Sequence, residues 1–261
     1  MYMMKKLFAL ALSLVLCTVL FAGCGDKEEK TFTVGFDASF PPYGYVDDSG
    51  EYVGFDLDLA AEVCSRNGWT LVKQAIDWDS RDMELSSGTI DCIWNGFTIN
   101  GREDNYTWSE PYVDNSQVFV VAADAGIATA ADLAGKAIGV QAASSALDAI
   151  NDEDNAELKA SFGAVQEFPE YNTAFMNLEA GAVQAIAMDI GVAKYQIETR
   201  GNSYIMLEEP LSTEQYGIGF KLGNTELRDK VQATLDAMAA DGKFQEIAEK
   251  WELTDSVCLG K

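Results

Sequence analysis

Apolar and polar positions alternate in short stretches along this chain, and other stretches repeat them at helical spacing. Residues 31–37 show the first pattern: Phe32, Val34 and Phe36 share one face of a strand that Asp37 closes. Residues 56–67 show the second, with Phe55, Leu59, Ala60, Val63 and Cys64 on one side of a helix that Gly68 stops. Further short strands are predicted over 71–76, 90–94, 118–122, 137–140, 165–168 and 185–188. Helices are predicted over 172–179, ending at Gly181, and over 226–240 and 243–251, where Phe244, Ile247, Ala248 and Trp251 form the apolar face. No internal repeat or low-complexity tract occurs. Strands alternating with helices predict an α/β fold.

The first 23 residues stand apart from this pattern. Lys5 and Lys6 precede an apolar run over 7–22, followed by Gly23 and Cys24. A short basic region, an apolar core too short to span a bilayer and small residues at the cut describe an export signal. Cys24 immediately after the small residues resembles a lipobox, in which that cysteine is lipidated and becomes the mature N-terminus. A plain secretory signal with an incidental cysteine fits the same residues, and Phe21 departs from the aliphatic residue usual at its position. Residues 24–30 are polar and aperiodic, a tether reaching about 20 Å when extended.

Composition narrows the class. The chain carries 18 basic and 42 acidic residues, a net charge of −24. Cutting before Cys24 removes Lys5 and Lys6 but no carboxylate, which makes the net charge −26. Such a field opposes nucleic acid and anionic membrane surfaces as partners. No histidine is present and no C-x-x-C occurs, so the common zinc sites are excluded and Ser144 and Ser145 lack a histidine base. No metal, cofactor or catalytic residue is expected. Cys64 and Cys92 fall in a helix face and a buried strand, as small core residues or as a disulfide pair; Cys258 receives no role.

The polar candidates gather after strands. Asp37 ends the first strand. Asn95 and Gly96, a turn pair, follow the 90–94 strand, with Thr98 and Arg102 close behind. Gln141, Ser144 and Ser145 follow the 137–140 strand, and Asp189 follows 185–188. Ligands of open α/β sheets bind outside the carboxyl ends of the strands. A hydroxyl and a guanidinium just past a strand end suit a small carboxylate, because arginine offers a planar fork. The same residues also fit an ordinary turn and a surface arginine, although Arg66, Arg81 and Arg228 fall in helical patterns and Arg102 does not. Ser144 and Ser145 open a helix and are N-cap candidates first. Asp189 is also an N-cap candidate, and Phe40 and Trp78 also read as core, the commoner fate of an isolated aromatic.

The segment from Asn95 to Tyr112, with Gly96, Thr98, Arg102 and then Trp108, Ser109, Pro111 and Tyr112, resembles the signature of the amino-acid-binding proteins of ABC importers, solute-binding protein family 3. The stretches TFTVGFDASFPPYGY, GEYVGFDLDLAAEV, DLAGKAIGVQAASS and ELRDKVQATLDAMAADGKFQEIAEKW extend the resemblance over essentially all of the mature chain. It implies a two-lobed type II periplasmic-binding-protein fold with two crossover strands and a ligand cleft between the lobes. One lobe would comprise 31–117 plus 216–261 and the other 118–215. It also implies a monomeric, lipid-anchored receptor at the outer face of the cytoplasmic membrane that passes a free, polar amino acid to an ABC permease.

By the same resemblance, Arg102 grips the α-carboxylate with Thr98 and the Ser145 amide. Asp189 takes the α-ammonium with the backbone near Gly96, Phe40 and Trp78 sandwich the side chain, and Asp37 lies near its far end. Lys73 is a candidate neutraliser of Asp37, and Trp94 and Met188 are candidates to narrow the pocket. Three departures stand out: Arg102 follows Thr98 by four residues where the family usually has five, Ala143 replaces a glycine, and Gln184 replaces an acid. Other readings on the same scaffold are an enzyme such as a cyclohexadienyl dehydratase, which needs a cleft acid or base, and a sensing module, which needs a separate signalling partner.

Overall fold

A computed structural model describes residues 30–260 apart from Asn202. The export signal, Cys24 and nearly all of the tether lie outside the described residues. The amino-terminal half contains β1 (Thr31–Phe36), β2 (Ser39–Phe40), β3 (Gly44–Val46), β4 (Tyr52–Val53), α1 (Phe55–Asn67), β5 (Thr70–Ala75), α2 (Arg81–Ser87), β6 (Cys92–Thr98), β7 (Thr107–Trp108) and β8 (Val113–Ala122). Then follow β9 (Ala137–Gln141), α3 (Ser145–Asn151), α4 (Ala156–Ser161), β10 (Ala164–Phe168), α5 (Tyr171–Glu179), β11 (Ala185–Asp189) and α6 (Ile190–Thr199). The chain finishes with β12 (Tyr204–Met206), β13 (Ser212–Phe220), α7 (Thr225–Asp241) and α8 (Lys243–Lys250).

One curled sheet runs in the order β10-β9-β11-β8-β13-β6-β1-β5, with β12 beside β8 and β7 beside β13. β1 pairs parallel with β5 and β6 at one end, and β9 pairs parallel with β10 and β11 at the other. The two parallel sets meet through β8 and β13, which pair antiparallel from Val113 opposite Tyr216 to Gln117 opposite Ser212. This is the two-lobed α/β fold with two crossover strands. A separate three-stranded sheet, β2-β3-β4, follows β1.

Local physics accounts for the elements. Phe32, Val34 and Phe36 are fully buried on β1, as their alternation requires. Gly68 ends α1 in the left-handed region at φ 64°, and Phe55, Leu59, Ala60, Val63 and Cys64 form its buried face. Cys64 and Cys92 are free thiols in the core, not a disulfide. Phe244, Ile247 and Ala248 of α8 are buried as expected. One boundary differs in kind. The strand ending at residue 94 instead continues as β6 to Thr98, because β13 supplies partners for Phe97 and Thr98. Gly96, at φ 56°, bends the strand without ending it. Among the described residues no helix is long and apolar enough to cross a membrane.

Candidate functional site

The carboxyl ends of β1, β6, β9 and β11 converge where the two lobes face each other. Phe40, Trp78, Gly96, Thr98 and Arg102 come from the first-lobe side, and Gln141, Ser144, Ser145 and Asp189 from the other. Together with Phe97 they line a narrow cavity of about 10 Å³. That leaves room for about one water molecule, far below the ~300–1,000 Å³ of ligand-sized sites, so a solute enters only when the walls part. The lobes already touch: Gln141 Nε2 donates to Asp37 Oδ2 at 2.7 Å, Thr98 Oγ1 to Ser145 Oγ at 3.1 Å, and Ser39 Oγ to Glu170. The described chain from Thr31 onward accordingly forms one compact unit.

Gly96 is required by space as well as by torsion. A Cβ there would stand 2.8 Å from the Phe40 ring and 3.0 Å from the Tyr216 ring, in a left-handed conformation that side chains disfavour. Its N–H donates at 2.6 Å to Oδ2 of Asp56, a carboxylate at the start of α1 that also accepts from Tyr112 Oη at 2.9 Å. Burial pushes the Asp56 carboxyl up to about 7, against the pull of these two donors. Phe40 is packed from behind by Tyr43 and Tyr171, at ring distances of 5.8 and 6.0 Å. Trp78 sits edge-on to Phe97 at 5.5 Å.

Arg102 follows a tight turn, its N–H donating to Ile99 O at 2.9 Å. Its Nη2 reaches Asp148 Oδ2 on α3 at 2.5 Å. Ser144 is the N-cap of α3, accepting from the Leu147 N–H at 3.2 Å and donating to Gln141 O at 2.7 Å. Ala143 before it adopts φ 54°, in the left-handed region that favours glycine. Gln184 stays outside the cavity, accepting from the Ala137 N–H at 3.0 Å.

Asp189 precedes α6 but does not cap it. Its Oδ1 accepts from Tyr216 Oη at 2.6 Å, Gln117 Nε2 at 2.7 Å and Asn115 Nδ2 at 2.9 Å, and its Oδ2 from Tyr171 Oη at 3.3 Å. Burial first, and then the charge of Glu214, raises the Asp189 carboxyl to about 6. Tyr43, Tyr171 and Tyr216 are pushed well above the usual phenol range, by burial and then by nearby carboxylates, so they remain O–H groups.

Asp37 and Asn95 do not line the cavity. Asn95 Oδ1 accepts the Asp37 N–H at 3.0 Å and so braces the end of β1. Asp37 opens instead on a wider mouth formed with Asp77, Trp78, Asp79, Glu167 and Glu170, whose lining among the described residues holds no lysine or arginine. Burial raises the Asp37 carboxyl, against hydrogen bonds from Gln141 and the Ser39 N–H. Lys73 does not neutralise it: its Nζ binds Tyr52 O at 2.6 Å, further along the sheet edge. Trp94 and Met188 are fully buried in the core and line no part of the cavity.

The sequence reading missed Phe97, Asp56, Asn115, Gln117, Asp148, Tyr216 and Glu214. One signal was available for Glu214. At period two it shares a strand face with Tyr216, Ile218 and Phe220, where a carboxylate has no place without partners.

A binding cleft between two α/β lobes, with a guanidinium and a carboxylate in one small cavity, defines a periplasmic-type receptor for a small polar solute. Residues 32–254 match the model of the bacterial extracellular solute-binding proteins, family 3, and the chain belongs to that family. The L-cystine-binding protein TcyJ of Escherichia coli K12 is 28% identical over 228 residues, covering 86% of this chain and 84% of that protein. ABC transporter arginine-binding protein 1 of the same strain is 28% identical over 253 residues, covering 95% and 99%. The crystal structure of an ABC uptake transporter substrate-binding protein from Streptococcus pneumoniae with bound histidine is 36% identical. It covers 85% of this chain and 92% of that one, with a TM-score of 0.81.

Proposed function

We propose that this protein is the extracytoplasmic substrate-binding component of an ABC importer and closes its lobes, 31–117 with 216–261 and 118–215, around a free polar amino acid. The observation that carries the reading is the arrival of Arg102 and Asp189 from opposite walls at one small cavity between the lobes. Arg102 and the Ser145 amide take the α-carboxylate, and Asp189 takes the α-ammonium. Phe40 and Trp78 flank the side chain, which extends towards Asp37. Because five carboxylates and, among the described residues, no base line that mouth, a cationic side chain is favoured over a neutral or acidic one. Micromolar affinity amounts to about −8 kcal/mol, within reach of several charge-assisted bonds after the entropy costs.

Thermal-shift screening of a protein lacking residues 1–23 against the twenty amino acids tests the reading. A ligand at 100 times its Kd adds about 2.7 kcal/mol to stability, a clear rise in Tm. No rise with any of them ends the proposal. Lipidation at Cys24 holds the receptor at the outer face of the cytoplasmic membrane. Cys24→Ser is expected to release it, and a wild-type protein without an acyl group by mass spectrometry contradicts the anchor.

A further inference from the structure

Glu214 lies on crossover strand β13, where the lobes meet, and is nearly buried. Its Oε1 accepts from Asn115 Nδ2 at 2.7 Å, Gln117 Nε2 at 2.8 Å, Thr98 Oγ1 at 2.8 Å and Ser145 Oγ at 3.3 Å. Thr98 belongs to one wall of the cavity and Ser145 to the other. Asn115 and Gln117 sit on the second crossover strand, β8, and each also donates to Asp189 Oδ1. Both amides turn their nitrogens to the two carboxylates and leave Asn115 Oδ1 and Gln117 Oε1 buried without a donor. That orientation is costly unless both carboxylates demand protons.

We propose that Glu214 is a specificity-determining, positioning residue that fixes the acceptors around the α-ammonium, on Asp189 through the shared Asn115 and Gln117 amides and on Thr98 directly. A hydroxyl that gives its proton to Glu214 turns only lone pairs elsewhere. Thr98 shares its one proton between Glu214 Oε1 at 2.8 Å and Ser145 Oγ at 3.1 Å, and so presents an acceptor to the cavity that it lines from the wall opposite Asp189. Its carbonyl accepts from Arg102 Nη1 at 3.4 Å, so Thr98 lies between the guanidinium and Glu214, and its hydroxyl serves an N–H donor. Because Thr98 and Ser145 reach the same oxygen from opposite walls, that acceptor set is complete only when the lobes are closed. The inference rests on the amino-acid-receptor reading and adds a residue from outside the cavity lining to it.

Glu214→Gln preserves shape and removes the charge. Its amide nitrogen can donate to the hydroxyls, releasing their protons. Calorimetry is run on wild type and variant with L-arginine and L-glutamine, each compared with the same molecule lacking its α-amino group. For whichever amino acid binds wild type, the variant is expected to lose at least tenfold of the preference over the analogue. Equal weakening of both molecules indicates a merely structural role and overturns the proposal, as does a preference retained within threefold. Wild type that responds to no amino acid refutes the receptor reading instead.

A ligand-free measurement separates the two further. The Asp189 carboxyl faces Glu214 and Tyr216 on β13, Tyr171 on α5, Tyr43 near β3, and the amides of β8. The tyrosines stay neutral, so Glu214 is its charged neighbour in this set. The carbon-13 titration midpoint of Asp189 is expected to move to lower pH in Glu214→Gln. An unmoved midpoint overturns the inference whatever the ligand. If Glu214→Gln does not fold, Asn115→Asp and Gln117→Glu, which place a new carboxylate beside the pair, are expected to move the midpoint upward, and no shift in either overturns it.

Discussion

Arg102 Nη2 lies 2.5 Å from Asp148 Oδ2, so the guanidinium in the cavity is held from the opposite wall by a carboxylate on α3. The arginine side chain is 11% exposed and the aspartate 66%, so the charges are unequal in setting. A largely solvated partner contributes at most about 1 kcal/mol, whereas loss of a desolvated bidentate partner of the ligand costs several. Arg102→Ala is therefore expected to weaken amino-acid binding more than a hundredfold with Tm little changed. Asp148→Asn is expected to change it less than about fivefold. Titration calorimetry decides, and an Arg102→Ala affinity within threefold of wild type removes Arg102 from the site.

Asp56 makes stability depend on pH. Its carboxyl titrates near 7 in the fold against an ordinary 3.8, so the native protein retains a proton that the unfolded chain has lost across that window. Stability falls as pH rises from about 4 to 7 and levels off above, by on the order of a few kcal/mol. Asp189, raised to about 6, acts with the same sign over a narrower window. Asp56→Asn keeps an oxygen for the Gly96 N–H and should flatten the slope. Urea melts at pH 5 to 8 check this, and a wild type that gains stability over that range contradicts it.

Ala143 carries backbone strain at φ 54°. A left-handed residue with a Cβ costs about 1–2 kcal/mol, while glycine returns part of that as unfolded-chain entropy. Ala143→Gly is expected to raise stability by about 0.5–1 kcal/mol, or roughly 1–4 °C in Tm. Calorimetric scans showing a lower Tm would refute the strain argument.

Asp37 stands at the acidic mouth beyond Trp78. Replacing it by asparagine removes a buried charge that a cationic side chain would pair with, so arginine and lysine should lose about tenfold or more while glutamine changes less. Competition among arginine, lysine, glutamine, cystine and leucine measures it. An unchanged ranking, or leucine as the best wild-type ligand, shows that Asp37 does not read the side chain.

Local pattern was enough for much of this protein. The alternation of Phe32, Val34 and Phe36, the face of α1 and the apolar stripe of α8 follow from side-chain periodicity alone, because each element buries one face whatever lies opposite. The polar residues at or just past the carboxyl ends of β1, β6, β9 and β11 were legible as a cluster, because each closes an apolar run, although β6 itself runs on to Thr98. Tertiary structure decided the rest. Asp37 and Asn95 belong by sequence to the cavity, yet one faces the mouth and the other braces a backbone N–H. Glu214 meets Thr98 across 116 residues and Gln117 across 97, and Asp56 meets Gly96 across 40. Contacts of that separation leave no period in the sequence, and a buried carboxylate has its role only after the sheet has curled and brought its donors to it.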